Sequence, residues 1–181
     1  MSGHNKWSQI KVKKGKEDAK RSKIFSLYAR IITVESKKAK GDRNMPNLRT
    51  AIERAKAVNM PNDNIDRAVA KGAGTDGGSI EEVMYEAYGP AGVAFIIEGI
   101  TDSKNRTTQE IKHLLSTHGG SLGAQGSASW AFQKTAEGWE ATNKMDLSDS
   151  DKEAVQKLFE ALEEYDDTKS VYTNANLPAE E

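Results

Sequence analysis

Seven cationic side chains fall within the first 21 residues: Lys6, Lys11, Lys13, Lys14, Lys16, Lys20 and Arg21, with Trp7, Ile10 and Val12 as apolar anchors between them. Such a segment is too polar to build a core of its own. Its ammonium and guanidinium groups suit phosphates, whose counterions they would release on binding. Lys23 and Arg30 carry the positive charge onward. Trp7 offers an indole face, and stacking on an unpaired base is sequence-tolerant and favourable by about 1–3 kcal/mol. The simpler reading makes Trp7 and Ile10 a clasp onto the helices that follow, with the lysines solvated around it. The candidate nucleic-acid contacts are therefore Lys6, Trp7, Lys11, Lys13, Lys14, Lys16, Lys20, Arg21, Lys23 and Arg30.

A second candidate anion site is DSKNRT, residues 102–107, where Lys104 and Arg106 stand at a strand-to-helix junction. The competing reading has Asp102 and Ser103 capping a helix. Gly119, Gly120, Gly123 and Gly126 form a glycine-rich stretch that lacks the lysine of a nucleotide-binding P-loop, and a tight backbone path into the next strand explains them better. His4, His113 and His118 are too scattered for a zinc site, so no metal is expected. No G-x-S-x-G turn is present, and zero cysteines exclude disulfides, thiolate metal sites and cysteine nucleophiles. No catalytic residue and no cofactor are expected.

Charge polarity organises the 181 residues. The net charge is -1, yet residues 1–40 carry +9, residues 41–75 carry +2 and residues 76–181 carry -12. A polyanionic partner fits that asymmetry. No window approaches a membrane span or a secretory signal, so the chain reads as cytoplasmic, without a membrane partner.

The elements that must position these residues follow from periodicity. Ile24, Phe25, Leu27, Tyr28, Ile31 and Ile32 recur at helical spacing and predict a helix over about 22–40. A second run after Pro46 carries Leu48, Ala51, Ile52, Ala55 and Val58, and a third, from Pro61 or Asn62, carries Ile65, Ala68 and Val69 before Gly72 closes it. Four glycines within residues 72–78 read as a linker. Beyond it, strands at 83–88 and 93–100 form a hairpin around Gly89–Gly92. A helix over 104–118 follows, with Thr108, Ile111 and Leu115 facing the sheet, then a short strand ending SWAF at Phe132. A helix opened by Ser148 or Ser150 and a strand around Val171 and Tyr172 complete the order. The stretch around Trp139 fits no element. The expected class is α+β: a basic tail (1–21), a three-helix domain (22–75) and an acidic β-β-α-β-α-β layered domain (76–181).

Four blocks, GHNKWSQIKVKKGKEDAKRSKIF at 3–25, NMPNDNIDRAVAKG at 59–72, YEAYGPAGVAFIIEGITDSKNRT at 85–107 and HGGSLGAQGSASWAF at 118–132, together resemble the YebC family. Its members are described as probable transcriptional regulatory proteins, related to the mitochondrial translational activator of cytochrome oxidase. DDTKSVYTNANLP at 166–178 is similar to the family's C-terminal strand. Family members carry a further α/β domain where this chain has only residues 133–147, expected here as a surface hairpin or loop. The helix after Ser148 should then pack on the same sheet as the helix after Lys104.

The leading reading is a nonenzymatic nucleic-acid-binding regulator, expected as a monomer, and the resemblance implies two versions of it. One binds promoter DNA. The other binds ribosomal RNA, or the ribosome, and assists translation of difficult sequences such as proline runs. The third helix opens on Asn62, Asp63 and Asn64 while the basicity lies in the tail, which suits backbone binding of either nucleic acid. Rival readings are an enzyme acting on a phosphorylated small molecule through the glycine loop with Lys104 and Arg106, and a protein-interaction module with an acidic partner.

Overall fold

A computed structural model of the chain describes residues 17–74 and 78–177. Lys6, Trp7, Lys11, Lys13, Lys14 and Lys16 lie outside the described residues, as does the centre of the expected linker. Two compact units are present. One holds the three N-terminal helices, residues 78–82 and Ile100–Lys104; the other holds Val83–Gly99 and the chain from Asn105 onward.

In the first unit, α1 spans Glu17–Ala39, α2 Pro46–Ala57 and α3 Asn62–Ala73. Helix α1 starts five residues before the apolar periodicity predicts, so Lys20 and Arg21 are helical. Both are good helix formers, and a helix needs no apolar stripe to extend by a turn. Leu48, Ala51, Ile52 and Ala55 of α2 and Ile65, Ala68 and Val69 of α3 are buried at the spacing expected of them. Gly72 departs from its reading as a helix stop, being buried inside α3. A Cβ there would fall on the Thr33 carbonyl oxygen and lie 2.6 Å from the Ser36 Cβ, so glycine is what lets α3 approach α1. The Ser36 hydroxyl donates to the Val69 carbonyl at 2.7 Å across that crossing. The other side of α1 packs Val34 and Ile31 against Ile80 and Ile100.

The second unit is built on a four-stranded sheet in the order β3-β1-β2-β6. Its strands are β1 (Glu81–Tyr88), β2 (Ala94–Thr101), β3 (Ser121–Leu122) and β6 (Thr168–Thr173). Strands β1 and β2 join through a turn at Pro90–Gly92, as expected, and β6 runs antiparallel to β2 with Ile97 opposite Val171. Helices α4 (Lys104–Thr117) and α5 (Asp149–Glu164) bury Ile111, Leu115, Val155, Leu158, Phe159 and Leu162 against one face, on Val83, Tyr85, Ala87, Phe95, Ile97 and Val171. Ser148 caps α5, its hydroxyl accepting from the Asp151 N–H at 3.2 Å. Residues 129–131 of SWAF form a 3-10 turn rather than a strand, and β4 (Phe132–Thr135) begins where SWAF ends. It pairs with β5 (Gly138–Ala141), the element around Trp139 that periodicity leaves blank. This hairpin lies in the 133–147 connection and covers the opposite sheet face, where Phe132, Ala128 and Ala131 meet Ala94, Ile96 and Tyr172.

Candidate nucleic-acid interface

Helix α1 sets the four sequence-predicted cations that are described along its first four turns. Lys20 and Arg21 are exposed; Lys23 and Arg30, one heptad apart, are half-buried. The Arg21 guanidinium lies over the Phe25 ring, 5.9 Å from its centroid. Arg21, Ser22, Phe25, Ser26 and Ala29 form one wall of an open groove of about 450 Å³, and Asn64, in the first turn of α3, forms the other. The same two helices approach closely at Gly72, farther along both. Asn64 is held by Arg67, whose guanidinium Nη2 donates to the Asn64 Oδ1.

Lys38, Arg43 and Arg49 of this unit contact its own carboxylates. Lys38 contacts Glu35 at 2.9 Å and Glu82 at 2.7 Å. Burial opposes the Lys38 charge, but the hydrogen bonds and charges of Glu82 and Glu35 outweigh it and hold the ammonium above its usual range. Arg43 pairs with Asp66 at 2.6 Å, and Arg49 with Glu53 at 3.6 Å.

The sheet unit treats its anion-like motifs differently. Lys104 opens α4, while Arg106 donates to the buried Asp167 at 3.0 Å. Thr107 (2.7 Å) and Tyr165 (3.1 Å) donate to the same oxygen. The glycine-rich loop wraps an internal carboxylate: the backbone N–H groups of Gly126 (2.7 Å), Ala128 (2.7 Å) and Ser129 (2.8 Å) all donate to Glu86, which is 4% exposed. Gly126 adopts φ +84° to turn its N–H inward, a backbone state glycine reaches without strain. Burial alone would raise the Glu86 carboxyl, but these donors and the Ser129 hydroxyl overcome it and hold the group below the usual glutamate range. Among the described residues no cluster of His, Asp and Glu is suited to a metal ion, and no helix is long and apolar enough to cross a membrane. The His118 Nδ1–H donates to the Leu114 carbonyl, 2.8 Å away, at the end of α4.

Four side chains escape sequence reasoning. Phe25 has the spacing of the core face, yet it lines the groove; Asn64 reads as no more than a helix start. Glu86 sits in a strand where alternation points it at the second sheet face, the one available signal. Trp130 is 57% exposed, its indole N–H donating to the Tyr88 hydroxyl at 2.9 Å.

The family model of the TACO1/YebC protein N-terminal domain matches residues 5–75, and that of the TACO1/YebC second and third domain matches residues 80–138. A "Probable transcriptional regulatory protein" of Petrotoga mobilis is 52% identical over 136 residues, which cover 74% of this chain and 54% of the relative. One of Halothermothrix orenii is 45% identical over 179 residues, covering 98% and 68%. One of Kosmotoga olearia is 43% identical over 182 residues, covering 99% and 71%. The chain thus spans about half the length of the first and about two thirds of the others. The crystal structure of a conserved hypothetical protein, Aq1575 from Aquifex aeolicus, matches with a TM-score of 0.86 at 33% identity, over 96% of this chain and 98% of that one.

Proposed function

The chain belongs to the TACO1/YebC family, and on that premise we propose that it is a nonenzymatic nucleic-acid-binding regulator of gene expression. The relatives' naming as probable transcriptional regulators supports the regulatory role. The observation that carries the binding role is the row Lys20, Arg21, Lys23 and Arg30 on α1, beside an open groove and directly after the six sequence-predicted contacts that precede it in the chain. Phosphate contacts from such a row position a nucleic acid without reading its sequence.

Promoter DNA is the ligand that the relatives' naming suggests. The second reading, structured RNA such as ribosomal RNA, is favoured by α3, whose exposed face carries Asp63 and Asp66. Carboxylates there oppose insertion into a phosphate-lined major groove, as a helix-turn-helix reader would require. The test uses the full chain with duplex DNA and looped RNA over a salt series. Replacing Lys11, Lys13, Lys14 and Lys20 together by Ala should flatten the log-log salt dependence by about 0.7–0.9 for each phosphate that is no longer neutralised. An unaltered slope would remove the binding role. Duplex DNA outcompeting RNA, with one preferred sequence, would return the protein to promoter recognition.

A further inference from the structure

We infer that the groove between the first half of α1 and the start of α3 seats one unpaired nucleobase, with Phe25 as the stacking surface and Asn64 as the hydrogen-bonding edge. This rests on the nucleic-acid reading above and names the part of the nucleic acid that this site takes.

The lining is chemically selective. It combines one aromatic ring, two hydroxyls, one methyl group, one amide and one guanidinium, with no carboxylate among the six residues. The groove is open to solvent, and its volume of about 450 Å³ is enough for one base to lie against the Phe25 ring. A base is flat, apolar on its faces and polar on its edge, and Ala29 leaves the space beside Phe25 in which such a plane can lie.

Phe25 is only half-buried, although its spacing matches the core positions of α1. The Arg21 guanidinium covers its ring from outside, at 5.9 Å from the centroid, a loose cation–π contact rather than a packed one. An incoming base takes the place of the guanidinium over the ring, and Arg21, exposed and on a long stem, turns to the phosphate of the same nucleotide. The cation–π contact thus keeps the ring covered in the free protein and releases it to a better π partner.

Asn64 supplies direction. Arginine only donates, so the amide atom that meets Arg67 is the oxygen, which fixes the flip of the side chain. Its Nδ2–H₂ remains to donate to a ring nitrogen or carbonyl on the edge of a base. Ser22 and Ser26, whose hydroxyls both donate and accept, fit more than one base. In a duplex these faces and edges are stacked and paired, so only an unpaired base can enter.

The test measures fluorescence anisotropy of the full chain with a short single-stranded RNA and with the same strand made abasic at every position, which leaves its charge unchanged. Wild type should bind the base-bearing strand about tenfold more tightly, the scale of one stacked base. Phe25→Leu, which keeps apolar volume, and Asn64→Ala should bring that ratio close to one while leaving abasic binding and its salt slope as they were. Phe25→Tyr should restore the ratio. A ratio near one in wild type, or one untouched by Phe25→Leu, overturns the base seat while the nucleic-acid reading stands. A free mononucleotide that erases the ratio at the same concentration as the strand also overturns it, by making the ligand a nucleotide rather than a strand. Failure of wild type to bind either strand overturns the base seat, and the nucleic-acid reading falls with it only if duplex DNA and looped RNA also fail to bind.

Discussion

The two units answer the same chemical question in opposite ways. Each presents backbone or side-chain donors of the kind that hold anions. In the sheet unit the donors close on the protein's own carboxylates: Gly126, Ala128 and Ser129 on Glu86, and Arg106, Thr107 and Tyr165 on Asp167. In the helical unit Lys20 and Arg21 are exposed on α1, and Arg21 lines a groove. A glycine-rich loop with convergent N–H groups is an anion cradle in both senses, and what separates scaffold from site is whether the chain supplies the anion. Here the fold has filled one cradle covalently, through β1.

The hardest break to that contrast is Glu86→Ala. It removes the shared acceptor of three donors, of which the Ala128 N–H is buried while those of Gly126 and Ser129 are partly within reach of water; an unsatisfied buried group costs about 1–3 kcal/mol, so the expected loss is about 3 kcal/mol in denaturant unfolding. Nucleic-acid affinity per folded molecule should not change. If the variant instead kept its stability and took up inorganic phosphate in the vacated cradle, the loop would be an anion site that Glu86 merely occupies.

Gly72→Ala probes the other unit at about 2 kcal/mol, the scale of overpacking, because the new methyl meets the Thr33 carbonyl oxygen and the Ser36 Cβ. Its second readout is the groove. Pushing α3 off α1 should weaken base-dependent RNA binding, whereas Glu86→Ala should not. Equal effects of both variants on binding would mean that the contrast between the units has no functional content.

Acid titration separates the units more gently. The Glu86 carboxyl lies below its ordinary value of 4.5 in the folded protein because its donors, against the cost of burial, favour the charged form. Its stabilising contribution is therefore complete above that value and is lost as pH falls from there through the lowered pKa. Glu86→Gln should remove that component and flatten the acid limb of unfolding, while Lys20→Ala leaves it intact. An unchanged acid limb in Glu86→Gln would show that other carboxylates set it.

Periodicity makes the elements legible because each is a local pattern: Leu48, Ala51, Ile52 and Ala55 announce α2, and alternation along 83–88 announces β1. The site is legible only as charge. The groove needs Phe25 and Asn64, 39 positions apart, and nothing local says that a phenylalanine at a core spacing will stand at the rim of its helix pair. The Glu86 cradle and the Arg106–Asp167 contact span 40 to 61 positions and depend on sheet order, which no short motif encodes. Strands β4 and β5 escape for another reason: four residues each, all but Phe132 at least partly exposed, carry too little alternation to register. Gly72 misleads because a glycine near a helix end signals termination and close packing with the same letter.

The finest test compares two arginines that sequence alone treats alike. Arg106→Ala removes one donor to Asp167 and leaves Thr107 and Tyr165 in place, and the guanidinium is half exposed, so the expected loss of stability is about 1 kcal/mol. The salt slope of RNA binding should not move, since that charge already has an internal partner. Arg21→Ala should do the reverse: unfolding stays where it was, because the guanidinium rests only loosely on Phe25, and the slope falls by about 0.7, one phosphate contact on a single strand. The pair is informative because both substitutions remove one positive charge from the chain. A general attraction between a cationic protein and a polyanion would respond equally to either. Only a located interface on α1 makes the slope fall for Arg21 and not for Arg106, and an equal fall for both would replace that interface with net charge.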